Sequence, residues 1–223
     1  MIEVISRETR WFLPGDRVPS IAAWFQGLPG SPRLGNSPKF PRQDYYLRMP
    51  GVENIGIKIR EPKKDQDSGR VKSFIEVKRL ITEKEPVTFQ NNNHGYSGKW
   101  QKLSYELTET GNDLLLINSS IPSSDKSWVR ADKDRVLVKY DAKNKLIVEG
   151  SSDIKEGCGI ELTKIKINTS INFSFGLEAF SESGKKLDQN FYECSKLVFD
   201  QIGLTGLALD YSFSYPEFLV QMI

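Results

Sequence analysis

Hydrophobic and polar residues alternate with a period of two along much of this chain. Successive side chains of an extended strand point to opposite faces. Over residues 71–81, Ile75, Val77 and Ile81 therefore share one face and Glu76 and Lys78 the other. Residues 55–60 repeat the pattern, with Ile55, Ile57 and Ile59 in an apolar row and Lys58 and Arg60 opposite. Each predicted strand has one dry and one ionic face. Residues 135–140 and 145–149 read as two more strands, and Asp141-Ala142-Lys143-Asn144 between them as a hairpin turn. Residues 159–167 and 171–180 form a second expected antiparallel pair, with Glu161 and Glu178 as carboxylates inside otherwise apolar or β-branched strands.

Helical periodicity is confined to two stretches. Val18–Gln26 groups Ile21, Trp24 and Phe25, has Pro19 in its first turn and stops at Gly27. Leu187, Phe191, Cys194 and Val198 recur at spacings of three and four, which predicts an amphipathic helix over about 186–202. Pro and Gly mark residues 29–38 as a loop, the charge run 61–67 reads as a solvated hairpin loop, and the Asn- and Gly-rich residues 90–98 read as a loop that could serve as a mobile lid. Residues 82–128 are the least legible part of the chain.

Composition narrows the class. The 38% hydrophobic content supplies a core, and 223 residues fit one all-β domain spanning 1–223. The expected fold is mainly β (α+β), a closed antiparallel β-barrel or tunnel with a few flanking helices. No apolar run approaches the about 18 residues of a membrane-spanning helix, and the charged first ten residues do not suit a secretory signal, so the cytoplasm is the expected compartment. Lys and Arg number 31 against 29 for Asp and Glu, which gives no general attraction for nucleic acid. Cys158 and Cys194 lack any C-x-x-C spacing and read as two isolated buried thiols.

The candidate chemistry lies in the charged rows: Glu8 and Arg10, Lys58 and Arg60, Glu76 and Lys78, Arg135 and Lys139, then Glu161 and Glu178. A flat sheet would show such rows to solvent. A barrel would enclose them, and they would then need each other, water or a ligand. Arg and Lys suit phosphate oxygens, Arg as a two-pronged donor and Lys as a point charge. Clustered carboxylates suit a hard divalent cation, Mg2+ or Mn2+, able to polarise a phosphoryl group. His94 is the only histidine and falls in the Asn-rich loop, so a Ser-His-Asp set has no support. Gly27-Leu28-Pro29-Gly30 and Gly95-Tyr96-Ser97-Gly98 lack the Lys-Ser or Lys-Thr of a P-loop.

Four stretches, in order along nearly the whole chain, resemble the CYTH or triphosphate tunnel family. Residues 6–12 sit where the family has an N-terminal E-x-E-x-K strand. Ile57-Lys58-Ile59-Arg60, after Asp44-Tyr45-Tyr46-Leu47, resembles its L-R-I-R strand. Phe74-Ile75-Glu76-Val77-Lys78 resembles its E-x-K strand, and Ser214-Tyr215-Pro216-Glu217-Phe218-Leu219 its C-terminal S-Y-x-E-x-L segment. The resemblance implies a closed antiparallel tunnel and a triphosphate-containing ligand, hydrolysed with a divalent metal. It implies Glu8, Glu161 and Glu178 as metal carboxylates and Glu8 and Glu76 as catalytic. Phosphate contacts would come from Arg10, Lys58, Arg60 and Lys78, with Arg135 and Lys139 added from the charged rows. The chain departs from the pattern at Ser6 and Thr163, which stand where the resemblance places carboxylates, and at Arg10, which replaces a lysine. These departures keep open a non-catalytic member that binds a phosphorylated ligand, and beside it a partner-binding barrel.

Overall fold

A computed structural model of the protein describes residues 1–32, 34, 42–64, 71–108 and 127–221. Among these residues are ten strands: β1 (Ile2–Leu13), β2 (Arg42–Leu47), β3 (Ile55–Lys64), β4 (Val71–Leu80), β5 (Glu85–Phe89), β6 (Asn93–Thr108), β7 (Trp128–Asp141), β8 (Leu146–Glu149), β9 (Glu156–Ile167) and β10 (Ser170–Ser181). Eight of them close into a barrel in the order β1-β10-β9-β7-β2-β3-β4-β6, and β6 pairs back onto β1. Every pairing around the ring is antiparallel. The two short strands lie off the ring, β5 on β6 and β8 on β7. The expected hairpins are both present, β7 with β8 and β9 with β10. The loops expected over 29–38 and 61–67 fall partly outside the described residues, and β3 runs as far as Lys64.

Three α-helices occur among the described residues. The first, α1 (Val18–Gln26), has Pro19 in its first turn and buries Ile21 and Phe25. The second, α2 (Leu187–Lys196), carries Asp188 in its first turn and Lys196 in its last, as the helix dipole favours. It continues into a π-helical turn over Leu197–Gln201, so the expected helix keeps its extent but widens at its end. The third, α3 (Tyr215–Gln221), starts from a capping box. The Ser214 N–H donates to Glu217 Oε2 at 2.7 Å and the Ser214 hydroxyl to the same oxygen at 2.9 Å.

The core has two parts. Outside the barrel, Trp11, Val136, Val138, Ile160, Leu162, Phe175 and Leu177 pack under α1, α2 and the π-turn. The thiols of Cys158 and Cys194 also meet there. They are both free and buried but not isolated as the sequence suggested, because β9 and α2 bring them together. Burial pushes the Cys158 thiol up, and Cys194 beside it adds to the effect. The second part lies inside the barrel at one end. Phe12, Tyr46, Val129, Ala131, Ile165 and Ile167 pack there against Phe218 and Leu219 of α3. Phe218 stacks on Phe12 with ring centroids 3.7 Å apart.

The lid expected over 90–98 is replaced by ordered structure. Gln90–Asn92 form a 3-10 turn, and from Asn93 onward the chain is strand β6, paired with β5 through Ser97 and with β1 from Ser97. Asn91 and Asn92 adopt the left-handed φ of a turn, at 56° each, but Asn93 and Gly95 are there for another reason. The buried Asn93 side chain donates to the Gln90 and Leu204 carbonyls and accepts from the Leu207 N–H. At Gly95 a Cβ atom would come within 2.5 Å of the Trp11 ring, so glycine is there for close approach and not for a bend.

Candidate functional site

Even-numbered positions 8–10 of β1, 56–60 of β3, 76–78 of β4 and 98–102 of β6, and odd-numbered positions 133–135 of β7 and 161–163 of β9, face the barrel lumen, since period-two alternation turns every second side chain inward. Those inward positions line one cavity of about 170 Å³, many times the room one water needs. Nine of the predicted site residues reach it: Glu8, Arg10, Lys58, Arg60, Glu76, Lys78, Arg135, Glu161 and Glu178. Lys139 does not. It is further along β7, beyond the cavity wall, where its ammonium donates to the Ser152 carbonyl at 2.7 Å. This position takes Lys139 away from any ligand in the lumen.

Four more basic side chains line the cavity and were not identified from sequence: Arg42, Lys84, Lys102 and Lys133. The signal for Lys133 was present in the alternation Val129, Ala131, Lys133, Arg135 along β7. Lys102 lies in the segment without a legible pattern, and Lys84 comes from the connection between β4 and β5, where no periodicity exists to be read.

The result is a cavity wall with nine basic and four acidic side chains. Carboxylates are consequently shared. Glu161 accepts from Arg10 at 2.8 Å and from Arg135 at 3.3 Å. Glu76 stands directly opposite Lys58 in the β3–β4 register, and its two oxygens take Lys58 at 2.7 Å and Arg60 at 2.6 Å. Asp44, fully buried at the inner end, accepts two bonds from Arg42 and lies 3.6 Å from Lys133. Glu8 pairs with Lys78, and Glu217 of the capping box with Lys84. With Asp44 and Glu217 included, basic groups still outnumber acidic ones.

Depth follows from exposure. The Lys133 side chain is 7% exposed, Arg10 12%, Lys78 29% and Arg135 43%, so Lys133 marks the inner end and Arg135 the rim. Lys133 lies over two aromatic faces, Tyr46 at 4.6 Å and Tyr215 at 3.9 Å, and these rings stack on each other. Cation–π attraction stabilises a buried charge that would otherwise lose its hydration. Arg10 lies over the Tyr215 ring at 4.9 Å. Tyr215 thus joins the apolar plug to the ionic section.

Burial and crowding set the protonation states. Burial lowers Lys58 to about 7 despite Asp44 and Glu76 nearby, with Arg42 and Lys133 pushing the same way. Burial likewise lowers Lys133 to about 7, and Asp44 only partly offsets it. Asp44 itself is raised by burial and lowered more strongly by Lys58, Lys133 and Arg42, to about 2. Burial raises Glu161, and Arg10 and Arg135 outweigh it, holding the carboxyl far below the usual range. Glu178 goes the other way. It stands directly opposite Glu8 in the β1–β10 register, and that like charge, with burial, raises its carboxyl. A protonated Glu178 can donate a hydrogen bond to a ligand oxygen, which none of the other lumen carboxylates is disposed to do.

The implied divalent metal can be tested against these donors. Among the described residues no group of three or more acidic, His or Cys side chains gathers in a way that could hold a metal ion. Two of the three carboxylates implied as ligands have cationic partners of their own. Glu8 is bonded to Lys78 and Ser6, Glu161 to two arginines and Thr163, and Glu178 faces Glu8. Hard cations require several converging charged oxygens, and this donor set does not fit one. No helix of the described residues is long and apolar enough to cross a membrane.

No protein-family model matches the sequence, and no curated protein matches it. Among solved structures the chain is similar to the crystal structure of a putative adenylate cyclase from Bacillus halodurans, at 9% identity and a TM-score of 0.49, over 93% of this chain and 94% of that one.

Proposed function

We propose that the barrel binds a triphosphate or other short polyphosphate-like anion in its lumen. The observation that carries this reading is the surplus of basic side chains over carboxylates around the lumen cavity. Without a ligand, three carboxylates must each serve two cations. An anion with several charges along its length would relieve that sharing from Lys133 at the inner end to Arg135 at the rim. Arginine forks and lysine point charges supply the two contact types such a ligand uses. Glu178, when protonated, would add a donor that carries no charge.

Melting temperature and calorimetric titration with inorganic triphosphate test the proposal, with monophosphate and sulfate as controls. We expect stabilisation by triphosphate that exceeds that of both controls and follows ligand concentration. A Lys58→Ala/Arg60→Ala double variant should bind at least about 10-fold more weakly, since charged hydrogen bonds contribute about 1.5–3 kcal/mol each. No shift at millimolar triphosphate would overturn the reading. Assaying released orthophosphate in the same samples separates turnover from binding.

A further inference from the structure

We infer that this lumen takes its polyanion free of divalent metal, with the chain's own Lys78, Arg10 and Arg135 in the role a bridging cation would otherwise fill. The inference rests on the anion-binding reading above and concerns which form of the anion is recognised.

It follows from the groups that surround the lumen carboxylates. Glu8 Oε1 accepts from both the Ser6 hydroxyl and the Lys78 ammonium. Glu161 Oε1 accepts from Arg10 at 2.8 Å and from the Thr163 hydroxyl at 2.9 Å, while its Oε2 faces Arg135. The Glu76 oxygens lie within ion-pair range of Lys58 and Arg60, although Oε2 makes no hydrogen bond of its own. Ser6 and Thr163 are each 1% exposed and stand two residues from a lumen carboxylate, so a carboxylate at either place would complete an acidic pair on one strand face. Here both are hydroxyls, and both turn their proton onto the neighbouring carboxylate. They satisfy a negative charge instead of adding one. The remaining carboxylate pair, Glu8 and Glu178, has the Lys78 ammonium bonded to its first member, and a divalent ion there would meet that positive charge at close range.

A consequence of definite sign follows. In solution a divalent cation binds triphosphate and cancels part of its charge. A site that already supplies its own cations should prefer the uncomplexed anion, so added magnesium should weaken binding. A site that needs a bridging metal predicts the reverse.

The experiment is calorimetric titration of the full chain with inorganic triphosphate, once in EDTA and once in excess Mg2+, at matched ionic strength. We expect binding in EDTA, and a Kd larger by on the order of ten-fold in Mg2+, as when one charged hydrogen bond to the anion is removed. Equal or tighter binding with Mg2+, or binding with Mg2+ alone, overturns the inference while leaving the anion reading intact. Absence of binding under both conditions sinks the anion reading and the inference with it. A Glu8→Gln variant supplies a second measurement. Freeing Lys78 from its carboxylate should tighten binding in EDTA, whereas equal or weaker binding by the folded variant would count against the metal-free site.

Discussion

The two ends of the lumen are built from the same strands and answer to different physics. At one end Phe12, Val129, Ala131, Ile165 and Ile167 turn inward and are sealed by Phe218 and Leu219. Two to four residues further along the same strands, the inward positions become Arg10, Lys133, Arg135, Thr163 and Glu161. The apolar end gains from every atom removed from water. In the ionic section each buried charge costs free energy unless it is paired. Closure by α3 therefore stabilises the barrel and also shields the ionic section from water behind it, which strengthens any charge contact made there. A tunnel filled by one kind of residue could do one of these things only.

The largest expected effect tests whether the ends are separable. Phe218→Ala should cost about 3–5 kcal/mol of stability, because a stacked ring leaves a cavity against Phe12. Molecules that remain folded should still bind triphosphate, as denaturant titration and calorimetry below the midpoint would reveal. A loss of binding at full folding would show the plug to be part of the site. Next in size is Arg10→Met, which leaves Glu161 to Arg135 and the Thr163 hydroxyl. We expect about 2–3 kcal/mol of destabilisation, less than for a fully orphaned buried charge. Adding Glu161→Gln should restore much of that stability while binding stays weak, a split that packing alone cannot produce.

The third prediction concerns protons. Lys58 and Lys133 are lowered to about 7 from an ordinary 10.5. Between these values the unfolded chain holds protons that the folded chain lacks, so their contribution makes the ligand-free protein more stable as pH rises from about 7 to 10.5. Ligand binding should change with the opposite sign, because an anion raises both lysines and draws protons in. Titration at about pH 7.5 in two buffers of different ionisation heat should report proton uptake; zero uptake would remove both lysines from the ligand's surroundings. The smallest effect is Lys139→Ala, expected to change triphosphate affinity less than about two-fold because its partner is the Ser152 carbonyl outside the cavity.

Strand content and the sharing of one face by the charges were legible in the sequence because both depend on local alternation, whereas the inward turn of that face depends on ring closure. Glu76 and Lys78 could be assigned to one face from the residues immediately around them, and the barrel places them there. Glycine misled at 90–98, where its composition is that of a turn and its cause is the Trp11 ring packed from another strand. The sharing of carboxylates was out of reach for a related reason. That Glu161 serves Arg10 and Arg135 depends on β1, β7 and β9 meeting in three dimensions. The meeting of Cys158 with Cys194 likewise required α2 to be docked. Lys139 shows the limit of parity, which gives the direction a side chain takes and not its height along the barrel.

Ring closure also bears on how these molecules behave towards one another when concentrated. An open sheet of this size would offer two long rows of unpaired backbone groups, a template on which further chains can stack. Here the eight ring strands turn those groups on each other, and the outer borders among the described residues belong to β5 and β8. The first has five residues, with a proline at its second position, and the second has four. Proline removes a donor and short strands present few groups, so neither border can nucleate a growing fibre readily. Among the described residues, ring closure thus leaves few backbone groups on which a second chain could add a strand.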